Sequence, residues 1–107
     1  MIEQRRHARA PIDAQLAFSV KGVKEQRTGI GRDISLGGMF IETTSPATFG
    51  ADVIVHVDLP GAGGTLSLPG VVRWVRDGGM GVQFGLLGAK ETHIITEINR
   101  KYAEANG

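Results

Sequence analysis

Hydrophobic and polar residues alternate along several short stretches of this chain, and the alternation predicts β-strands. Over residues 52–59, Val53, Val55, Val57 and Leu59 all fall on one phase. Successive side chains of a strand point to opposite faces, so these four residues would line the buried face of a sheet. The same pattern predicts strands over residues 12–21, 25–36, 39–43, 65–76 and 80–84.

The period changes near residue 89, where apolar residues begin to follow helical spacing. A single stripe would contain Leu87, Ile94, Ile95, Ile98 and Tyr102, which predicts a helix over about residues 89–104. Turn signals at Lys21-Gly22 and Asp77-Gly78 separate the strands before it. Six short antiparallel strands with such turns predict a small β-barrel, so the expected fold is all-β with one C-terminal α-helix.

Composition narrows the classes of function. The chain has 107 residues, which fits one domain, and its 12 basic and 11 acidic residues leave a net charge of +1. That balance argues against a general electrostatic grip on DNA or RNA. Cysteine is absent, which excludes disulfides and thiol chemistry. The polar start and the lack of a long apolar run predict a cytoplasmic protein without membrane insertion.

One stretch between two predicted strands gathers groups that can bind a ligand. Asp33 and Ser35 stand two residues apart, so an extended backbone places both side chains on one face. Gly37 and Gly38 follow and allow close approach to the backbone. A carboxylate, a hydroxyl and open N–H groups suit a ligand with N–H donors and phosphate oxygens. The alternative is a β-turn in which Asp33 and Ser35 hydrogen-bond the local backbone.

The first eleven residues form a charged arm that ends at Pro11. Arg5, Arg6 and Arg9 give the arm its positive charge, and Arg5 and Arg9 are four residues apart. The alternative interpretation is a solvated basic terminus without a ligand. We expect residues 1–10 to be mobile without ligand and to close over a bound anion, and residues 12–107 to form the barrel domain.

Taken together, these fragments resemble the PilZ domain family. Arg5 and Arg9 match the RxxxR element of that family, and Asp33, Ser35 and Gly38 match its DxSxxG element. The later runs 70–75 and 79–84 also look like the family, so the resemblance covers nearly the whole chain. It implies a bacterial receptor for the second messenger cyclic di-GMP, with no catalytic activity.

The resemblance also implies the ligand contacts. An arginine fork matches the O6 and N7 acceptors of guanine, and a carboxylate accepts from its N1–H and N2–H₂ donors. The expected ligand-binding residues are Arg5, Arg6, Arg9, Asp33, Ser35, Gly37 and Gly38. No metal or cofactor beyond the dinucleotide is expected. A monomer or weak homodimer would then signal through a partner protein that the sequence does not identify.

Other functions compete with this one. The chain can be a PilZ-like adaptor that binds proteins without nucleotide, although such domains typically lack the motif arginines. A barrel that binds single-stranded nucleic acid needs several exposed aromatic residues, and most of the six here are in core phase. We expect Trp74 in the core rather than beside the site, because its indole fills volume well. An enzyme is disfavoured, since His7, His56 and His93 lie on different elements.

Overall fold

Six β-strands and one α-helix make up the part of the chain that the structure describes, residues 9–106 of a computed structural model. The strands are β1 (Ala10–Val20), β2 (Arg27–Ile34), β3 (Gly38–Glu42), β4 (Asp52–Asp58), β5 (Thr65–Arg76) and β6 (Gly79–Phe84), and the helix is α1 (Ala89–Asn106). The strands close into a barrel in the order β1-β2-β3-β6-β5-β4, and every neighbouring pair is antiparallel. The predicted fold class is therefore confirmed.

The barrel interior is filled by the apolar residues that the alternation selected. Phe18, Val55, Leu68 and Val72 are fully buried and come from β1, β4 and β5. Burying one side chain of this size stabilises a fold by about 1.5–3 kcal/mol. The hydrophobic interior therefore stabilises the barrel, and residues on its outer face are not needed for the core.

Two tight turns have the backbone that the sequence predicted. Gly22 and Gly78 have φ angles of 85° and 89°, a region that favours glycine. Strand β5 runs without interruption from Thr65 to Arg76, as predicted, although it contains Pro69. The irregularity in β5 lies further on, where its register against β6 shifts between Val72 and Trp74.

Helix α1 covers one mouth of the barrel. Ile95 is fully buried, Ile94 is nearly so, and Ile98 packs against the core from a half-buried position. Tyr102 is 39% exposed, so the predicted apolar stripe ends before it. Among the described residues, no helix has the length and apolar character needed to cross a membrane. The start of β1 and the end of β2 lie at the same mouth, because Ala10 pairs with Ile34.

Candidate functional site

A bulge in β2 sets the direction of the Asp33 side chain. Gly31 pairs with the buried Ile41, and Asp33 pairs with Phe40, so the register against β3 shifts at Arg32. The bulge resolves an irregularity in the sequence, where Arg32 falls on the phase of apolar residues. Without it, Gly31 and Asp33 would share a face. With it, Asp33 points to the outer face of the barrel.

The bulged Arg32 is held by two carboxylates. Its guanidinium donates to Glu42 at 2.6 Å and to Asp13 at 2.7 Å. The hydrogen bond to Glu42 raises the pKa of Arg32, and the charge of Asp13 adds to that effect. Neighbouring strands on both sides therefore hold the bulge that orients Asp33.

The turn after Asp33 is closed by its own hydrogen bonds. The Ser35 N–H donates to the Gly38 carbonyl at 2.9 Å, and the Ser35 hydroxyl accepts from the Gly37 N–H at 3.1 Å. Ser35 is only 3% exposed. The structure thus shows the local hydrogen bonding that the sequence left as an alternative for Ser35, and a phosphate contact by this hydroxyl stays a prediction.

Gly38 has a packing reason to be glycine. A Cβ at this position would overlap the Val82 carbonyl oxygen of β6, so only glycine lets the two strands approach. The neighbouring Gly37 uses its carbonyl to accept from the Phe84 N–H at 2.9 Å. These two residues anchor the turn to β6, and their contact with a ligand stays a prediction.

Arg9 and Asp33 lie against each other at the edge of this turn. Arg9 Nη1 is 3.0 Å from Asp33 Oδ1 and 3.5 Å from the Gly38 carbonyl oxygen. Asp33 Oδ1 is completely shielded from solvent, yet it has no hydrogen-bond partner among the described residues. The Arg9 contact is therefore an ion pair by distance, without the alignment of a directed hydrogen bond.

The remaining predicted site residues are not all described. Arg5 and Arg6 lie in residues 1–8, outside the described part of the chain, as does most of the predicted arm. The structure brings together Arg9, Asp33 and the turn through Gly38. Among the described residues, no group of three or more His, Cys, Asp or Glu is placed to hold a metal ion.

An aromatic pair that the sequence analysis did not include lies beside Asp33 on the outer face. Asp33 is paired with Phe40, Phe40 with Gly81, and Gly81 with Trp74, so these residues form one row across β2, β3, β6 and β5. The rings of Phe40 and Trp74 stack with centroids 5.3 Å apart and planes 11° from parallel. A Cβ at Gly81 would overlap the indole of Trp74, so glycine leaves room for this stack.

The expectation that Trp74 lies in the core is wrong. Trp74 is 37% exposed, although Val72, two residues earlier, is fully buried. The register shift between Val72 and Trp74 turns the indole outward. The missed signal was the placement of a glycine, Gly81, across from the tryptophan.

A cation completes this surface. The guanidinium carbon of Arg76 lies 4.8 Å from the centre of the Trp74 ring and 5.4 Å from that of Phe40. Such cation–π contacts fix both the cation and the rings. We call Arg9, Asp33, Phe40, Trp74 and Arg76 the outer motif face. It offers a carboxylate, two guanidinium groups and a flat apolar surface.

Comparison with known families places the chain. The model of the PilZ domain family matches residues 3–100, and the chain therefore belongs to the PilZ family. PilZ domains are receptor and adaptor domains rather than enzymes, and binding of cyclic di-GMP is a property of receptors in this family. No curated protein matches this chain at a significant level.

Solved structures show the same fold at low sequence identity. The PilZ domain of CeSA from a cellulose-synthesizing bacterium is 18% identical, with a TM-score of 0.69, and the match covers 94% of this chain and 99% of that one. The PilZ domain of YcgR from Escherichia coli, solved with c-di-GMP, is 13% identical, with a TM-score of 0.75 and coverage of 97% and 95%. The inhibitor of motility MotI/DgrA from Bacillus subtilis is 15% identical, with a TM-score of 0.78; the match covers 99% of this chain and 55% of that one.

Proposed function

We propose that this domain binds cyclic di-GMP on the outer motif face and transmits its presence to a partner protein. Family membership supports this ligand, and the structure of the similar YcgR domain contains it. The arrangement of Arg9, Asp33 and the neighbouring aromatic pair is consistent with the same ligand on independent chemical grounds.

The observation that carries the proposal is the state of Asp33. Its Oδ1 atom is shielded from solvent and lies 3.0 Å from the Arg9 guanidinium, but no aligned donor within residues 9–106 hydrogen-bonds it. The ion pair offsets part of the cost of shielding this oxygen, and a ligand that brings N–H donors would supply the aligned hydrogen bonds that it lacks. Guanine presents N1–H and N2–H₂ side by side, which is the donor pair that a carboxylate accepts.

Arginine supplies the opposite half of the recognition. A guanidinium fork donates two parallel hydrogen bonds to O6 and N7 of guanine, a contact worth about 1–3 kcal/mol. Arg9 is already 3.0 Å from Asp33, so both groups can reach one purine. In the proposal, Arg5 supplies a second fork, and Arg6 faces the two phosphates. Adenine would be rejected because it places a donor where guanine has O6.

The aromatic pair provides a surface for a base. The exposed ring of Trp74, stacked on Phe40, is a rigid plane in the same cross-strand row as Asp33. Stacking of one base on an aromatic side chain contributes about 1–3 kcal/mol. Arg76, held over these rings, would place positive charge near a phosphate. Together with two arginine forks, these contacts can reach the roughly 8 kcal/mol of micromolar binding.

Calorimetric titration with cyclic di-GMP tests the proposal directly. We expect saturable binding by cyclic di-GMP and none by cyclic di-AMP or GTP at the same concentrations. Trp74 is the one tryptophan in the sequence, so its fluorescence reports on the site alone. A titration with neither heat nor a change in Trp74 emission would refute cyclic di-GMP binding by this domain.

A protein-binding adaptor without nucleotide is the second candidate, and one observation favours it. The Ser35 hydroxyl already has backbone partners, and Arg9 is already paired with Asp33, so these groups satisfy one another in part. In an adaptor, the exposed pair Phe40 and Trp74 would contact protein instead of a base. The same titration separates the two, because an adaptor leaves the heat signal flat.

A further inference from the structure

One side chain joins helix α1 to the centre of the DxSxxG element. Asn99 Nδ2 donates to the Ile34 carbonyl oxygen at 3.1 Å, across 65 positions of sequence. Ile34 is the residue between Asp33 and Ser35, and its own side chain is completely buried. The hydrogen bond therefore holds the backbone at the point from which both motif side chains depart.

The surroundings make this contact a fixed one. Five positions before Asn99, Ile94 is nearly fully buried in the barrel mouth, and the adjacent Ile95 is completely buried. One residue before Asn99, Ile98 packs on the same core. These apolar contacts fix the position and rotation of the helix on the barrel. The amide of Asn99 is therefore already placed to hydrogen-bond the Ile34 carbonyl.

We infer that Asn99 is a positioning residue for the ligand site: its amide fixes the Ile34 carbonyl and thereby the directions of Asp33 and Ser35. The inference rests on the proposed function and adds a role for the C-terminal helix, which no ligand needs to touch. A site held in its bound geometry loses less entropy on binding, so this contact raises affinity.

The coupling must operate in both directions. If the docked helix favours the ligand, the ligand stabilises the docked helix by the same free energy. Bound cyclic di-GMP should then slow amide hydrogen exchange in helix α1, although that helix lies outside the outer motif face. This gives the domain a physical route from its ligand site to an exposed helix surface that a partner protein can read.

The test compares three variants with the wild-type domain. Asn99→Ala removes the donor, Asn99→Gln keeps an amide at the same position, and Thr96→Ala changes an exposed residue of the same helix. We expect Asn99→Ala to weaken cyclic di-GMP binding about two- to tenfold, the usual net value of one hydrogen bond. Asn99→Gln should recover part of this loss, and Thr96→Ala should leave the affinity unchanged.

Amide hydrogen exchange without ligand gives an independent readout. In Asn99→Ala, the amides of Ser35 and Gly38 should exchange faster, because their turn loses its tie to the helix, while amides at the far end of the barrel keep their protection. Unchanged affinity and unchanged exchange in Asn99→Ala would overturn the inference and leave the proposed function standing. If the wild-type domain does not bind cyclic di-GMP, the proposed function fails first, and the role of Asn99 in binding fails with it.

Discussion

Two outer surfaces of the barrel differ in how far their polar side chains are hydrogen-bonded to one another. On β1, β4 and β5, His56 lies between two serines: its Nε2 is 3.0 Å from Ser19 Oγ, and its Nδ1 is 3.3 Å from Ser67 Oγ. Gln26 donates to Ser19 Oγ at 3.3 Å and extends the chain of contacts. We call Ser19, His56 and Ser67 the back face. Both ring nitrogens of His56 already have partners there.

The outer motif face is different because its polar groups satisfy one another only in part. Asp33 Oδ1 is shielded and has no directed hydrogen bond within residues 9–106, and Arg9 meets it by charge alone. The stacked rings of Phe40 and Trp74 expose apolar surface next to these charges. A surface with a shielded acceptor, cations and a flat ring has features that a purine nucleotide would satisfy, whereas the back face has polar groups that satisfy each other.

Substitutions at the ion pair should have the largest effect. Arg9→Ala removes one guanidinium fork, and Asp33→Ala removes the acceptor for guanine N1–H and N2–H₂. We expect either change to weaken cyclic di-GMP binding by about 10- to 100-fold in calorimetric titration. Asp33→Asn should lose as much, since its amide has the same shape but places a donor against donors.

Asp58→Ala is the matched control for Asp33. Asp58 is an exposed carboxylate at the end of β4, where it accepts a hydrogen bond from the Thr65 hydroxyl at 2.6 Å. Its loss removes the same charge from the barrel without touching Arg32, the bulge or the motif. Equal affinities for Asp33→Ala and the wild-type domain would remove Asp33 from the site, and equal losses at Asp58 and Asp33 would reduce the effect to net charge.

Removing the indole should have the next largest effect. Trp74→Ala takes away the stacking surface for a base, and we expect a loss of about five- to twentyfold in affinity. Trp74→Phe keeps a flat ring and should lose less than Trp74→Ala. Calorimetry is the measurement here, because both variants remove the fluorescent reporter. If Trp74→Ala binds as tightly as the wild-type domain, the aromatic pair belongs to a different interface.

The fold could be predicted from the periodicity of apolar residues along the chain. Alternation found all six strands with ends within a few residues, and the change of period found helix α1. Gly22 and Gly78 marked two turns that need a positive φ angle. These features are local, and the energy of burying one face of each strand enforces them. The barrel closes where β1 pairs with β4, although the six strands range from five to twelve residues in length.

The direction of the Trp74 side chain did not follow from periodicity, because the residue comes after a bulge. One register shift precedes Asp33 and the other precedes Trp74. A bulge inserts one residue and reverses which face the next side chain takes, so a strict alternation assigns Trp74 to the core incorrectly, whereas Asp33 lies on the face opposite Ile34 as the local alternation predicts. Arg32 gave a warning in the sequence, since a charged residue stood on a buried phase. For Trp74, the corresponding signal was Gly81, the residue that pairs with it on β6.

Contacts between residues far apart in the sequence could not be predicted from local patterns either. The ion pair of Arg9 with Asp33 and the hydrogen bond from Asn99 to Ile34 join residues that meet only when the barrel has closed. The RxxxR and DxSxxG elements named Arg9 and Asp33 as site residues, but their pairing is set by the start of β1 lying against the end of β2. Asn99 belongs to no motif, and only the docked helix reveals it.

A smaller effect should come from filling the space beneath the indole. A Cβ at Gly81 would overlap the Trp74 ring, and that ring can turn away because it is partly exposed. Gly81→Ala should therefore break the stack with Phe40 and weaken binding about two- to fivefold, in the range of one aromatic pair. Trp74 emission should shift without ligand. Gly64→Ala is the control, since a Cβ there meets nothing within 4 Å. If the two substitutions have equal effects on affinity, the stack of Phe40 and Trp74 does not contribute to binding.

The smallest effect should come from the back face. His56→Ala breaks the contacts with Ser19 and Ser67, which are partly exposed, so we expect a loss of unfolding free energy of at most about 1 kcal/mol in chemical denaturation. Affinity for cyclic di-GMP should change less than twofold, because β1 separates His56 on β4 from Asp33 on β2, and the hydrogen-bond partners of His56 are Ser19 and Ser67. If His56→Ala weakens binding as strongly as Asp33→Ala while the stability of the domain is unchanged, the ligand contacts both faces. In that case, the difference in hydrogen bonding between the back face and the outer motif face does not identify the binding site.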